Sequence, residues 1–302
     1  MLRQLQYLTA LAREKHFGRA AAACHVSQPT LSAGLRQLEA ELGAPIIERG
    51  NRFIGLTRGG EIALEHAQRI LAEAEALRHD LTEQAKGLTG RLKLGAVPTA
   101  LPIVSHIAAP FYRRYPQVTV AVMSQTSQEI ARGIEDFDLD IGFTYLDNEP
   151  LHRVRSKPIL VEEYVFLTPA HGPYADRSSI SWKEAAQAPL CLLTPDMQNR
   201  RIIDGIFRSV GENPRPAVET NSIFNLVSHA HSGLWSSIVP RQLLRFFGIP
   251  EGTRAVELVE PSAGRTLGLI MSDRSPPAPL ARNFFAIEIP PDLSTKIMPP
   301  RR

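Results

Sequence analysis

The chain has 302 residues, enough for two or three hydrophobic cores, and a net charge of only +3. So mild a charge excludes a general nucleic-acid coat, and two cysteines, Cys24 and Cys191, exclude a disulfide framework. With no signal peptide and no apolar run able to span a bilayer, the expected compartment is the cytoplasm, and no membrane partner is expected. The charge is uneven: residues 1–58 hold eight arginines and lysines against four glutamates, which puts the basic character in one amino-terminal module.

In that module, Gly18 to Cys24 is expected to form a short helix whose alanines at 20–23 let a second helix cross closely. A tight turn through His25 and Val26 follows. Ser27 then stands at an N-cap position, and Pro29 takes a first-turn position where a missing amide proton costs nothing. Leu31, Leu35 and Leu38 form the buried stripe of this second helix. Its other face presents Gln28, Pro29, Thr30, Ser32 and Arg36, with groups able to read base edges and grip phosphates. The pattern predicts a helix-turn-helix with its second helix in a major groove. A generic pair of packed helices is the alternative for this segment taken alone.

The continuation favours the DNA reading. Gly43 closes the second helix, Ile46 and Ile47 form a short apolar pair, and Arg49, Gly50, Asn51 and Arg52 make a basic turn before a returning strand, Phe53 to Leu56. That is a two-stranded wing, with Arg49 and Arg52 placed for the neighbouring backbone or minor groove. Thr57 is expected to cap a new helix.

The pattern HF-x-RAA-x-x-x-HVSQPTLS…LE-x-ELG…ER…LT-x-x-G resembles the LysR-type transcriptional regulators, and the similarity extends over essentially the whole chain. The resemblance implies a multidomain protein: an all-α winged helix-turn-helix (1–58), a linker and dimerisation helix (59–87), and an α/β effector-binding domain (88–302) of two periplasmic-binding-protein-like subdomains. It further implies a homotetramer built as a dimer of dimers, or at least a dimer, bound to double-stranded DNA at imperfect inverted repeats near promoters. RNA polymerase and a small-molecule effector are implied partners; no cofactor is expected beyond such a co-inducer. The chain departs from the family after Ser32, where Ala33 and Gly34 replace the usual basic residue and glutamine, so fewer groove contacts are expected there.

From Arg58 to about Lys86, Ala63, Ala67, Ile70, Ala74, Leu77 and Leu81 recur at heptad spacing. One helix lying on its own domain would explain this, but a self-pairing helix is preferred, because a half-site reader needs a symmetric partner. Gly87, Thr89 and Gly90 break the helix.

Beyond Arg91 strands alternate with helices: strands at 91–97, 118–123, 138–143, 163–168, 190–194, 234–239 and 265–271, helices after Pro98, from about Ser127, and near 199–210 and 223–232. The alternation predicts parallel sheets with helices on both faces and a ligand beyond the carboxyl ends of the strands. The resemblance refines this to a discontinuous first subdomain (about 91–163 and 269–302) and a second (about 164–268), with the effector between them.

Pro98 and Thr99, and Thr126 with Ser127, follow strands at helix starts, where free amides favour a small anion. Each hydroxyl alone could equally be an N-cap. In the family, effector-contacting hydroxyls match Thr99 and Ser127. Asn199 and Arg201 are added from the second subdomain, with Asn221, Ser222 and Phe224 as weaker candidates; Arg200 and Arg201 could instead form a solvated face.

An enzyme is not expected, because the sequence shows no phosphate-cradling loop, nucleophile elbow or metal-ligand spacing. His229 and His231 face different sides of a helix, and Glu162 and Glu163 point apart on a strand. A pure solute-binding protein would leave the first 86 residues unexplained. The DNA-binding half is most similar to the peroxide-sensing subgroup, whose cysteine pair falls on and after the loop matching 194–208. Here residues 194–207 read TPDMQNRRIIDGIF, without cysteine, so a metabolite is the expected trigger. A looser similarity links the chain to regulators encoded beside formate dehydrogenase operons.

Overall fold

A computed structural model describes residues 1–48, 53–86, 88–275, 277–290 and 293, with the side chains of 76 and 78–86 outside the description. The chain divides into two compact units, Met1–Thr89 and Gly90–Arg302.

In the first unit, α1 (Leu2–Glu14) ends where Lys15 turns left-handed. α2 (Phe17–Ala23) starts at His16, whose Nδ1 accepts from the amides of Gly18 and Arg19 at 3.1 and 3.3 Å. His25, at φ 54°, makes the turn into α3 (Gln28–Leu42). Ser27 Oγ accepts from the Thr30 amide at 3.3 Å, and Gly43 at φ 66° ends the helix, both as the sequence predicts. Leu5, Leu8 and Leu11 of α1 pack with Ala20, Ala21, Leu31, Leu35 and Leu38 in one core.

Glu39 ties this core to the wing: its Oε1 accepts from the amides of Ile46 and Ile47 at 2.9 and 3.3 Å. Ile47 bridges Leu56 antiparallel, so the base of the wing is two-stranded. Its tip, with Arg49 and Arg52, lies outside the described residues.

α4 (Arg58–Lys86) begins at Thr57, whose Oγ1 accepts from the Gly60 amide and donates to the Pro45 carbonyl. A Cβ at Gly60 would lie 2.0 Å from the Ile46 carbonyl oxygen, so only glycine allows this approach. The heptad seam divides. Ala67 is fully buried in the core of its own unit, with Ala63, Leu64 and Leu71 packed against it, whereas Ile70 and Leu77 are exposed. The first part of the seam therefore roots α4 on its own head, because α1 covers it.

The second unit is built on a ten-stranded mixed sheet, ordered β2-β1-β3-β10-β4-β8-β6-β7, with β9 paired to β4 and β5 paired to β9. In chain order it runs β1 (Gly90–Ala96), α5 (Leu101–Arg114), β2 (Val118–Ser124), α6 (Ser127–Glu135), β3 (Ile141–Tyr145), β4 (Val154–Pro169), β5 (Ser179–Ser181) and α7 (Trp182–Ala185). Then come β6 (Leu190–Leu193), α8 (Gln198–Ser209), β7 (Val218–Thr220), α9 (Ile223–His231), β8 (Ser236–Pro240), α10 (Arg241–Phe247), β9 (Thr253–Val259), β10 (Gly264–Ser272) and α11 (Pro279–Phe285).

The purely parallel expectation is corrected. β1–β2, β1–β3, β6–β7 and β6–β8 pair in parallel, but β10 runs antiparallel to β3 and β4, and β4 antiparallel to β8 and β9. The segment read as a strand at 163–168 is the second half of a sixteen-residue strand. Its residues up to Glu163 pair with β10, and from Tyr164 onward with β8 and β9. β4 is thus shared by two strand groups, each carrying its own helices.

Candidate functional site

On α3, Gln28, Pro29, Thr30 and Arg36 are exposed together, and Ser32 is half-buried. The Thr30 hydroxyl lies 2.8 Å from Ser27 Oγ. Gly34 does not belong to this face. A Cβ there would sit 2.7 Å from the ring of Tyr7, a buried residue of α1, so position 34 is a helix-crossing point. The expectation that Gly34 removes a groove contact is therefore corrected, while Ala33 does lie on the exposed side.

In the second unit the seven candidate ligand residues fall into three places. Thr99 and Asn199 join a sealed polar cluster. Thr99 Oγ1 lies 2.9 Å from Tyr145 OH, and Asn199 Nδ2 donates to that oxygen at 3.2 Å. Tyr145 OH donates to Glu162 Oε1 at 2.5 Å, and Gln242 Nε2 donates to Glu162 Oε2. Burial pushes the Glu162 carboxyl up to about 7, against the hydrogen bonds from Tyr145, Gln242 and Asn199 that hold it down. Burial, then the neighbouring Glu162 charge, raises the Tyr145 phenol. Asn199 Oδ1 and Gln242 Oε1 are buried acceptors without a partner. Tyr145, Glu162 and Gln242 were not singled out by sequence as site residues. Strand parity carries a signal for Glu162: it shares a face of β4 with Leu160, Tyr164 and Phe166, all buried.

Ser127 and Arg201 meet at a carboxylate. Ser127 Oγ donates to Glu149 Oε2 at 3.2 Å, Arg201 Nε to Glu149 Oε1 at 2.7 Å, and an Arg201 terminal nitrogen to Ser127 Oγ at 3.0 Å. Neither arginine of the pair is a solvated face. Arg200 is buried and paired with Asp204 and Glu219, and it donates to the Leu193 carbonyl.

Pro98, Thr126 and Asn221 line an open cleft of about 440 Å³, together with Ser222, Glu129 and Asp196. Thr126 is the N-cap of α6 in a reciprocal capping box with Glu129, so its hydroxyl already has a structural task. Phe224 is 74% exposed. Among the described residues no cluster of three or more His, Cys, Asp or Glu could hold a metal, and no helix is long and apolar enough to cross a membrane.

Both cysteines are free. Cys191 is buried in β6 with its thiol pushed up to about 11 by burial, and burial also raises Cys24. Neither has the depressed pKa of a reactive thiolate.

Residues 2–61 match the bacterial regulatory helix-turn-helix protein, lysR family, and residues 85–287 match the LysR substrate binding domain. A hydrogen peroxide-inducible genes activator from Haemophilus influenzae is 29% identical over 281 residues, 91% of each chain. A full-length OxyR variant from Pseudomonas aeruginosa superposes with a TM-score of 0.72 at 28% identity, covering 96% of this chain and 99% of that one. Full-length CbnR in complex with its target DNA shares the fold at a TM-score of 0.62 and 23% identity, over 94% of this chain and 97% of that one. The chain belongs to the LysR family: it is a transcriptional regulator with a helix-turn-helix DNA-binding domain and an effector-binding domain, not an enzyme.

Proposed function

We propose that this regulator reads an imperfect inverted repeat in promoter DNA as a dimer or dimer of dimers, and activates or represses transcription when a small anionic metabolite binds its second unit. Residues 1–58 read DNA through Gln28, Pro29, Thr30, Ser32 and Arg36, with Arg49 and Arg52 on the wing; 59–87 pair the copies; 88–302 sense the effector. Within 88–302 the subdomains are 91–163 with 269–302, and 164–268, so β4 joins them. The protein acts in the cytoplasm, in contact with RNA polymerase.

One observation carries the anionic reading: Ser127, from the first strand group, and Arg201, from the second, converge on a carboxylate. A ligand bound by both groups favours one arrangement of the two over another, as a switch requires. Pro98, Thr126 and Asn221 border the neighbouring cleft through which the metabolite enters. The peroxide response in the relatives' names is not carried over, because burial raises both thiols here and neither is a depressed, reactive one.

The test is retardation of a fragment of the gene's own upstream DNA by the purified chain, repeated with a panel of small carboxylates. Retardation that a carboxylate alters is the expected result. A chain that retards no such fragment overturns the DNA reading, and retardation that no carboxylate alters overturns the anionic one.

A further inference from the structure

The loop after β3 is fastened by three consecutive side chains. Asp147 Oδ2 accepts from the Thr266 amide at 2.8 Å, Asn148 Oδ1 accepts from Gln198 Nε2 at 2.6 Å, and Glu149 reaches Ser127 and Arg201. The receptor side of that last contact is held without Glu149. Arg201 donates from its other terminal nitrogen to the carbonyls of Pro195 and Asp196 at 3.2 and 2.6 Å, which fixes the guanidinium plane. Ser127 is 7% exposed and sits in the first turn of α6, where the helix dipole favours a negative charge. The Glu149 side chain, by contrast, lies on a loop and reaches only Ser127 and Arg201 among the described residues; it is 28% exposed, as is Arg201 at 29%.

From this asymmetry we infer that Arg201 and Ser127 form a carboxylate receptor whose resident occupant is the chain's own Glu149. The regulator is self-liganded at rest, and an aliphatic carboxylate enters by exchanging with the Glu149 side chain. The inference rests on the anionic reading above and specifies its site. An ion pair whose side chains are 29% and 28% exposed adds modestly to folding stability, so exchanging one carboxylate for another leaves the fold intact. Glu149 is tethered, and a short tether presents its group at an effective concentration of roughly millimolar. A free ligand therefore needs contacts beyond its carboxylate to win. The adjoining cleft offers Asn221 and Ser222 for that purpose. The effector class that follows is a small carboxylate bearing a second polar group.

The experiment uses the full chain and sodium acetate as the probe, with sodium chloride at equal ionic strength as the reference. Glu149→Ala vacates the receptor and should bind acetate at least tenfold more tightly than wild type, seen by calorimetry and as an acetate-specific rise in Tm. Adding Arg201→Leu to Glu149→Ala should abolish the response. If Glu149→Ala does not fold, Glu149→Gln keeps the volume without the charge and should still bind acetate more tightly than wild type. Equal acetate binding by wild type and the folded variant overturns the inference, as does a response that survives loss of Arg201. A variant that binds acetate but retards no DNA keeps this inference and loses the regulatory reading; DNA retardation altered by a carboxylate, without acetate binding in the variant, does the reverse.

Discussion

The Tyr145 hydroxyl donates to Glu162 Oε1 at 2.5 Å, and neither side chain reaches solvent. A carboxylate buried this way accepts hydrogen bonds from neutral donors only, so its charge is stabilised by dipoles but not by a cation. Its folded pKa of about 7 lies above the ordinary value of 4.5. The folded state therefore holds the proton more tightly than the unfolded chain. The resulting stabilisation is complete below the ordinary value and is lost as pH rises through about 7. Between pH 5 and pH 8 the second unit should lose about 2 kcal/mol from this group. Glu162→Gln should remove that slope, since the new amide can donate to the unpartnered Gln242 Oε1 after the Gln242 amide turns over. Denaturant titrations of both proteins at the two pH values check this; identical slopes would assign the effect to another group.

Gly34 and Tyr7 set a second expectation. Alanine is normally the better helix former by about 1 kcal/mol, so Gly34→Ala should stabilise α3 if nothing opposed it. The ring of Tyr7 does oppose it, 2.7 Å from the added Cβ. Overpacking should reverse the sign and cost about 1–3 kcal/mol. Combining Gly34→Ala with Tyr7→Leu should recover part of the loss. A stabilised single variant in a thermal melt would contradict the contact.

The exposed face of α3 and the wing should separate in binding assays. Gln28→Ala should relax preference at one base pair, costing about 1–3 kcal/mol on the best site and little elsewhere. Arg52→Ala should weaken binding to all sequences and reduce its salt dependence. Affinities measured on operator and unrelated DNA at several salt concentrations tell the two apart, and unchanged binding in both variants would remove α3 from the groove.

Among the seam side chains described, Ile70 and Leu77 are the exposed ones, at 41% and 61%. Pairing of two chains along α4 would bury them, so Leu77→Glu should break the dimer by placing a charge in the seam. The head should stay folded, because among the described residues Leu71 is the last of α4 to pack on its core. Sedimentation or light scattering reads this directly, and a monomeric wild type would end the argument.

Sequence revealed α2, α3 and the start of α4 because their determinants are local, while α1 (Leu2–Glu14) was not predicted. Ser27, Gly43 and Thr57 act within a few residues of themselves, and the alanines of α2 need only a neighbouring helix. In the second unit the strands were visible as apolar runs, but their directions were not. β4 meets β10 about a hundred residues later in the chain, and no short pattern encodes that antiparallel pairing. The hydroxyls at helix starts were equally visible, whereas their partners were hidden. Tyr145, Glu149, Glu162 and Gln242 arrive from separate segments, and only the fold brings them to Thr99 and Ser127. Gly34 shows the opposite failure: a family difference that looked like altered DNA chemistry is a packing constraint set by α1.

The fusion of α4 to its head makes the helix a lever. Ala67 in the core, the Thr57–Pro45 hydrogen bond and the close approach at Gly60 leave no joint between them, so head and helix tilt as one body. Twenty-nine residues of α-helix span about 43 Å, and a tilt of about 5° about the far end carries the near end through about 4 Å. One base pair rises about 3.4 Å along the duplex. If α3 lies in the major groove as proposed above, a tilt of this size is enough to move it out of register by about one base pair.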